Sequence, residues 1–342
     1  MGRRRGNVHA CPNPWNPVVM DRERDWLIPV ALLLTIELAA WSALSTAGLA
    51  HPPAIAGYEL LALTAFAPVL GFRLLSTPKP LGRLQKMAHE EPARIGALVA
   101  GIQLFVLGAS LFGALKAAIP KAVPFWLDGP LAQAERTLFG TDPWRLSTLL
   151  LGWATPVIDL VYASFLPIHL LAVFTLLTAA PSRAKTRALV SLYLAWLVIG
   201  VGGAFALSSV GPIFYDRAFG GGMFSALTQA LHGAAPIAVR TSDLMWQYHV
   251  TDTPVVATGI SAMPSMHVGL SLWLALISRG RRYAPLAWLY FAIIWLGSVH
   301  LGWHYVSDGL VASVAMLLLW RVTSALFGYR PAPSVVQPSA AC

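Results

Sequence analysis

Apolar residues in this chain fall into long continuous runs instead of alternating with polar ones. A helix needs roughly 20 such residues to cross a hydrocarbon core of about 30 Å, and runs near that length recur through most of the chain. Pro, Gly or charged residues punctuate every gap between the runs. We therefore predict an all-α integral membrane protein with about eight transmembrane helices. The predicted spans are 27–50, 58–75, 95–119, 157–180, 188–208, 264–278, 284–302 and 305–327.

The first run and the stretch 123–153 need separate interpretations. The first run lacks a small-residue cleavage site, which favours a retained span over a cleaved signal peptide. Within 123–153, charged residues interrupt the apolar ones, and this pattern is typical of amphipathic or re-entrant helices at the membrane interface. We assign no span there.

The basic residues indicate the orientation. If both termini are cytoplasmic, all but six of the 24 Lys and Arg residues lie on the cytoplasmic side, as the positive-inside rule requires. This topology places segments 211–217, 263–267 and 300–308 on the extracytoplasmic side. Segments far apart in sequence are thus predicted to meet at one depth of what is expected to be a bacterial inner or plasma membrane.

The amino-acid composition supports a membrane environment and limits the classes of binding partner. The chain is 56% hydrophobic and 11% charged, whereas a soluble domain is usually about a quarter charged. The net charge is +9, but no stripe of mixed basic and aromatic residues indicates nucleic-acid binding. The two cysteines, Cys11 and Cys342, exclude a disulfide framework and a thiol metal site. Carboxylates do not cluster as Mg²⁺ would require, so we predict no metal and no cofactor, and membrane lipids as partners.

The most informative polar pair is His304 and Asp308. Their i,i+4 spacing places an imidazole and a carboxylate on one helix face. A carboxylate bonded to one ring nitrogen fixes the tautomer and makes the other nitrogen a better nucleophile or base. Ionisable residues at a membrane boundary are costly, which favours a functional interpretation.

A second candidate is the helix start at 262–267, where Pro264 organises the first turn and Ser265, beside it, is a predicted phosphate contact. Such a helix end offers free N–H groups and a favourable dipole to an anion. A phosphate placed there would have His267 one turn along. The alternative is that His267 caps the helix or lies at the interface.

Three further residues are candidates for phosphate contacts. Arg217 offers a planar fork of donors, with an ion pair to Asp216 as the alternative. Tyr215 offers a hydroxyl, or anchors the chain at the membrane interface. His300 precedes His304 by four residues and either faces the site or caps its helix.

Together these segments resemble a known family, the type 2 phosphatidic acid phosphatase superfamily. Residues 264–267 are similar to its Pro-Ser-Gly-His element, and Ser298 with His304 and Asp308 is similar to its Ser-Arg-x5-His-x3-Asp element. The chain departs from that pattern because it lacks Lys-x6-Arg-Pro, has Val299 in place of the Arg, and has a gap one residue shorter. Segments 211–217, 262–267 and 298–309 are more similar to the branch of aureobasidin-sensitive inositol phosphorylceramide synthases and their bacterial relatives.

The resemblance implies a domain organisation and a mechanism. Residues 1–26 would form a cytoplasmic tail, 27–94 two additional spans, 95–327 a six-span phosphotransferase core, and 328–342 a disordered tail. His304 would be the nucleophile that forms a phosphohistidine, Asp308 would orient it, and His267 would protonate the leaving group and then activate the acceptor.

Two classes of function follow. The first is a membrane phosphotransferase or phosphatase acting on a lipid phosphate, a polyprenyl pyrophosphate or a phosphodiester, with transfer of a phosphoinositol-like headgroup preferred. The second is a transporter or flippase in which the same residues relay protons. The enzyme requires both histidines within about 10 Å at one end of the bundle, because both must reach one phosphate.

Overall fold

The computed structural model describes residues 17–76, 91–253, 255, 256 and 259–328, together with the isolated positions 82, 85 and 89. Every regular element within these residues is helical, which confirms the predicted all-α fold. Both cysteines and nearly all of the tail predicted to be disordered lie outside the described residues.

Most of the helices in the described residues are joined by short connections. We number them α1 Pro17–Thr46, α2 Ile55–Leu75, α3 Pro92–Ala122, α4 Asp128–Phe139, α5 Pro143–Leu151, α6 Thr155–Ala163, α7 Phe165–Thr178, α8 Arg183–Ala195, α9 Pro212–Phe219, α10 Ser225–Leu231, α11 Pro236–Val250, α12 Met266–Ile277, α13 Ala284–His300 and α14 Val306–Phe327. Helix α8 continues through the π-helical stretch Trp196–Gly203 and the turn Ala204–Ala206.

Six helical stretches among the described residues are long and apolar enough to cross a membrane. They correspond to the first five predicted spans and the eighth. The sixth and seventh predicted spans are the shorter apolar helices α12 and α13, of 12 and 17 residues. At 1.5 Å per residue, α12 is only about 18 Å long.

The fourth span begins earlier than predicted. Helix α5 is apolar and continues through the 3₁₀ turn Gly152–Ala154 into α6 and α7, so the apolar stretch is Pro143–Thr178 rather than 157–180. Leu149, Leu150 and Trp153 are 82%, 71% and 83% exposed. Apolar side chains this exposed suit contact with lipid. Only the first part of the predicted interfacial stretch, α4, is polar enough to lie on the surface.

A buried ion pair joins the first span to the core. The Lys185 ammonium donates to both oxygens of the Glu23 carboxylate, at 2.9 and 3.0 Å, and to the carbonyls of Leu177 and Ala179. Both side chains are buried. A buried pair is tolerated only where additional hydrogen bonds offset desolvation, and the two carbonyls provide them. The pair therefore fixes α1 against the turn between α7 and α8.

The polar end of the bundle has its own apolar core. Trp144, Tyr162, Phe214, Leu227 and Tyr305 belong to one buried cluster, which packs helices α9 to α11 against α4, α5, α6 and α13. The long connection between α8 and α12 is thus folded onto the bundle as three short helices. This arrangement holds the three candidate segments in place.

Candidate active site

Main-chain hydrogen bonds bring the three candidate segments together. Segment 262–267 contacts both of the others, and segment 211–217 contacts the turn between α13 and α14. The bonds are Ile213 N to Gly302 O at 2.7 Å, Ser265 N to Asp308 O at 3.2 Å and, just before segment 211–217, Ala262 N to Ser209 O at 2.9 Å. Gly211 itself lies against Ala262. The predicted meeting of these segments at one end of the bundle is confirmed.

Gly211 makes the closest of these approaches. Its φ of +89° lies in the region that favours glycine. A Cβ at this position would come within 2.5 Å of the carbonyl oxygen of Trp303. Both the backbone conformation and the lack of space for a Cβ therefore favour glycine at position 211.

His304 and Asp308 form the predicted pair at the start of α14. Nδ1 of His304 lies 3.3 Å from Oδ2 of Asp308, and the same oxygen accepts a hydrogen bond from Tyr305 N at 3.0 Å. Asp308 is fully buried and His304 is 6% exposed. A carboxylate in the first helical turn is also favoured by the helix dipole. When Nδ1 donates its hydrogen to Asp308, Nε2 keeps a lone pair for nucleophilic attack.

His267 faces this pair from the first turn of α12. Its ring stacks on Tyr162, with centroids 4.9 Å apart and planes 20° apart, and packs against Phe165 at 4.2 Å. The His267 and His304 ring centroids are 5.9 Å apart. Catalytic proton transfer needs contacts of about 2.6–3.2 Å, and two rings this close can both contact one phosphoryl group.

Both histidines line a cavity of about 460 Å³. Its wall is mostly apolar and aromatic and comes from α2, α3, α6, α7, α8 and the loop helices. Asp159, on the wall, accepts hydrogen bonds from Ile237 N and Ala238 N, each at 2.9 Å. This carboxylate holds the start of α11 over the cavity.

Two acids of α4 position the site segments, a role that the sequence analysis missed. Asp128 accepts hydrogen bonds from Val210 N and Gly211 N, each at 2.8 Å, and Glu135 accepts from the amide and hydroxyl of Ser307 at 2.9 and 2.8 Å. Burial raises the pKa of Asp128 to about 6 and also raises the pKa of Glu135. Both acids interrupt the apolar residues of 123–153. As a sequence pattern, such charged residues predict only an amphipathic or re-entrant helix.

Arg217 and Tyr215, predicted as phosphate contacts, have other neighbours. The Arg217 guanidinium forms an ion pair with Asp243, not with Asp216. The Tyr215 ring packs edge-on against Phe224, with centroids 5.3 Å apart. Neither residue is among those that line the cavity.

His300 and Ser265, the other two predicted contacts, hold structural positions. The His300 ring nitrogens contact the Thr155 hydroxyl at 2.8 Å and the Ser147 hydroxyl at 3.1 Å, which joins α13 to α5 and α6. The Ser265 hydroxyl accepts a hydrogen bond from Val268 N at 3.3 Å and caps α12. Neither side chain is among the lining residues.

Comparison with known proteins places most of this site within one family. The sequence model described as the PAP2 superfamily matches residues 130–322, more than half of the chain. The match includes both histidines and Asp308, and it leaves out α1, α2 and α3. No curated protein and no solved structure matches the chain significantly.

Substitution of Gly211 tests the close approach of the segments. Gly211→Ala is expected to lower the thermal unfolding temperature, because its backbone region, at φ 89° and ψ 159°, costs other residues about 1–3 kcal/mol and because the new Cβ meets Trp303. Gly220→Ala is the matched control, since φ 75° and ψ −162° lie in the same region and a Cβ there meets nothing within 4 Å. Gly211→Ala should lose more stability. Equal losses would show that the contact with Trp303 adds nothing.

Proposed function

The chain belongs to the PAP2 superfamily, and from that premise we propose that it is an integral membrane phosphotransferase acting through a phosphohistidine. Family membership supports a phosphatase or phosphotransferase over the transporter hypothesis. The observation that carries the proposal is the His304–Asp308 pair facing His267 across 5.9 Å at one cavity.

The reaction is proposed in two displacements. In the first, Nε2 of His304 attacks phosphorus, the bond to the leaving oxygen breaks, and protonated His267 gives that oxygen its proton. In the second, the now neutral His267 takes a proton from the acceptor hydroxyl, whose oxygen attacks phosphorus as the P–N bond breaks. Both histidines return to their starting states.

Asp308 and the helix ends support these steps. The Asp308 carboxylate stabilises the positive charge that develops on His304 during attack and keeps the productive tautomer. The first N–H groups of α12 have no acceptor within the helix, and its dipole favours an anion at that end. A phosphoryl group between the histidines therefore meets donors and a favourable field.

Transfer to an alcohol is proposed in preference to hydrolysis. The support is the similarity of segments 211–217, 262–267 and 298–309 to the inositol phosphorylceramide synthase branch, which suggests a phosphoinositol-like headgroup. Water and an alcohol attack the same intermediate, so the alternative is a phosphatase of lipid phosphates or polyprenyl pyrophosphates. The extracytoplasmic location of the site stays a prediction from the basic residues.

Labelled phosphatidylinositol tests the reaction. Purified protein should move the labelled headgroup to added ceramide or diacylglycerol, and His304→Ala should abolish this turnover because no covalent intermediate forms. Release of free headgroup phosphate alone, with either acceptor present, would identify a phosphatase instead. Turnover that persists in His304→Ala would contradict the proposed nucleophile.

Substrates with different leaving groups distinguish the proposed roles of His267 and His304. His267→Ala should lose about 10²–10⁴-fold in rate with an alkyl leaving group, because general acid catalysis is removed. The first displacement should recover with a nitrophenolate, which leaves without a proton. Asp308→Asn should lose activity with both substrates, because the imidazole tautomer is wrong. An equal loss with both leaving groups in His267→Ala would argue against an acid role.

A further inference from the structure

The end of the bundle opposite the active site is rich in basic residues and poor in acids. From residue 160 onward the sequence has only four acids, which are Asp216, Asp243, Asp252 and Asp308. They lie on α9, on α11, directly after α11 and on the first turn of α14, at the active-site end. The opposite end is formed by the start of α8, the turn between α12 and α13 and the end of α14. Its basic residues are Arg183, Lys185, Arg187, Arg279, Arg281, Arg282 and Arg321.

Arg187 and Arg279 have no acidic partner. Within the described part of the chain, no carboxylate forms an ion pair with either guanidinium. Lys185, two residues before Arg187 on α8, does have such a partner, because its ammonium binds the Glu23 carboxylate. Arg279 also lies within electrostatic range of Arg187. Two like charges are therefore held near each other without a counterion from the described residues.

Each of the two arginines lies over a tryptophan of another helix. The Arg187 guanidinium is 4.3 Å from the ring centroid of Trp320 on α14, and the Arg279 guanidinium is 5.7 Å from that of Trp288 on α13. The face of an aromatic ring attracts a guanidinium. Stacking occupies the flat surface of the guanidinium and leaves the N–H groups at its edge for hydrogen bonds. The tryptophans thus hold both cations in place while donors remain available to a ligand.

The Nε–H group of Arg187 lacks an acceptor. This nitrogen is buried and has no hydrogen-bond partner among the described residues. An arginine at a membrane boundary usually extends its charged end into water, whereas Arg187 is only half exposed. A buried donor without a partner is destabilising, and more so when it is charged. An anion between Arg187 and Arg279 would accept this hydrogen bond and offset the repulsion between the two charges.

A phosphate group is the anion that suits two guanidinium groups. The planar fork of N–H donors in arginine matches the oxygens of a phosphate and binds them in pairs. The distribution of basic residues predicts that this end of the bundle is cytoplasmic. Basic pockets between transmembrane helices on that side are typical sites for anionic lipid headgroups. A phospholipid of the membrane is therefore a source of the phosphate that is always at hand.

Exposed apolar side chains lie next to these arginines along the same helices. Leu286 and Leu289 on α13 and Val322 and Leu326 on α14 are all more than half exposed. Apolar side chains this exposed suit contact with acyl chains. Helix α12, which ends just before Arg279, packs against both α13 and α14. A ligand with an anionic head and long apolar chains matches this surface better than a soluble anion does.

This surface is separate from the active site. At 1.5 Å per residue, Trp320 lies about 20 Å along α14 from the helix start at Val306. Neither arginine and neither tryptophan is among the residues that line the active-site cavity. A lipid bound here is therefore not the substrate of the proposed reaction, and its binding does not depend on that reaction.

We infer that Arg187 and Arg279 form a binding site for the phosphate headgroup of an anionic phospholipid, whose acyl chains lie along α13 and α14. The headgroup bridges α8 to the turn between α12 and α13. Because α12 and α14 carry His267 and His304 at their other ends, the bound lipid stabilises the helices on which the active site is built.

Titration of phosphatidylglycerol into the detergent-solubilised full chain tests the site, with bound lipids counted by native mass spectrometry. Arg187→Gln combined with Arg279→Gln should bind one lipid fewer and weaken that binding about 30-fold, because each arginine beside an anionic headgroup contributes about fivefold. Arg281→Gln with Arg282→Gln is the matched control, since it removes the same formal charge from the same end of the bundle. The control should weaken binding less. Equal weakening by the two pairs would overturn the inference in favour of unspecific attraction by charge.

Inorganic phosphate distinguishes a lipid from a soluble anion. Phosphatidylglycerol should raise the unfolding temperature of the wild type more than that of Arg187→Gln combined with Arg279→Gln. Inorganic phosphate and zwitterionic phosphatidylcholine should leave this difference between the two proteins unchanged. A rise with inorganic phosphate that depends on the two arginines would assign the site to a soluble anion and contradict the lipid. The same rise with phosphatidylglycerol in both proteins would also contradict it.

Single substitutions keep the test valid if the double variant does not fold. Arg279 is exposed, so Arg279→Gln should fold and should bind phosphatidylglycerol about fivefold more weakly. Arg187→Lys keeps the charge but lacks the Nε–H donor and the planar fork, and it should also bind the lipid more weakly. Wild-type affinity in both single variants would show that the two arginines do not form the site.

Discussion

Asp308 holds both catalytic candidates in place. Its side-chain oxygen binds Nδ1 of His304, and its main-chain oxygen accepts the amide of Ser265, the residue that caps the helix of His267. The separation of the two histidines is therefore set through one buried residue at the start of α14. This fixed separation is what the proposed acid and nucleophile require in order to reach one phosphoryl group.

The arrangement is stabilised by carboxylates placed where apolar packing alone would not suffice. Main-chain groups of a tight turn between helices need partners when they are buried. Asp128 and Glu135 supply these partners from α4, and Asp159 supplies them to α11. These three acids thus accept hydrogen bonds from main-chain groups around the site. The proposed reaction uses His267, His304 and Asp308 instead. The elevated pKa values of Asp128 and Glu135 follow from the burial that this bonding requires.

The sequence patterns predicted which segments meet at one end of the bundle, but they did not predict which neighbours each side chain contacts there. The ends of the long apolar runs predicted that His267, His304 and Asp308 lie at the same end of the bundle. The i,i+4 spacing predicted that His304 pairs with Asp308. Nothing in those patterns says which way a side chain points once helices pack. The ion pair between Arg217 and Asp243, for example, joins residues of two different loop helices and could not be predicted from spacing along the chain.

The predicted start of the fourth span was wrong for a related reason. No span was predicted within 123–153 because charged residues, Asp142 among them, interrupt its apolar pattern, yet the Asp142 carboxylate pairs with Arg136 at 2.5 Å and with Arg145 at 3.5 Å. The pairing lowers the cost of charge beside an apolar helix, so α5 joins the apolar stretch. Such partners depend on tertiary structure, and hydropathy alone cannot identify them.

The most direct measurement of the central claim is the location of the covalent intermediate. Protein quenched in alkali during turnover, digested and mapped by mass spectrometry should carry an acid-labile phosphoryl adduct on His304. The adduct should be absent from His304→Ala and should accumulate in His267→Ala with a nitrophenyl donor, because the second displacement then lacks its base. An adduct on His267 that persists in His304→Ala would reverse the two roles and contradict the mechanism.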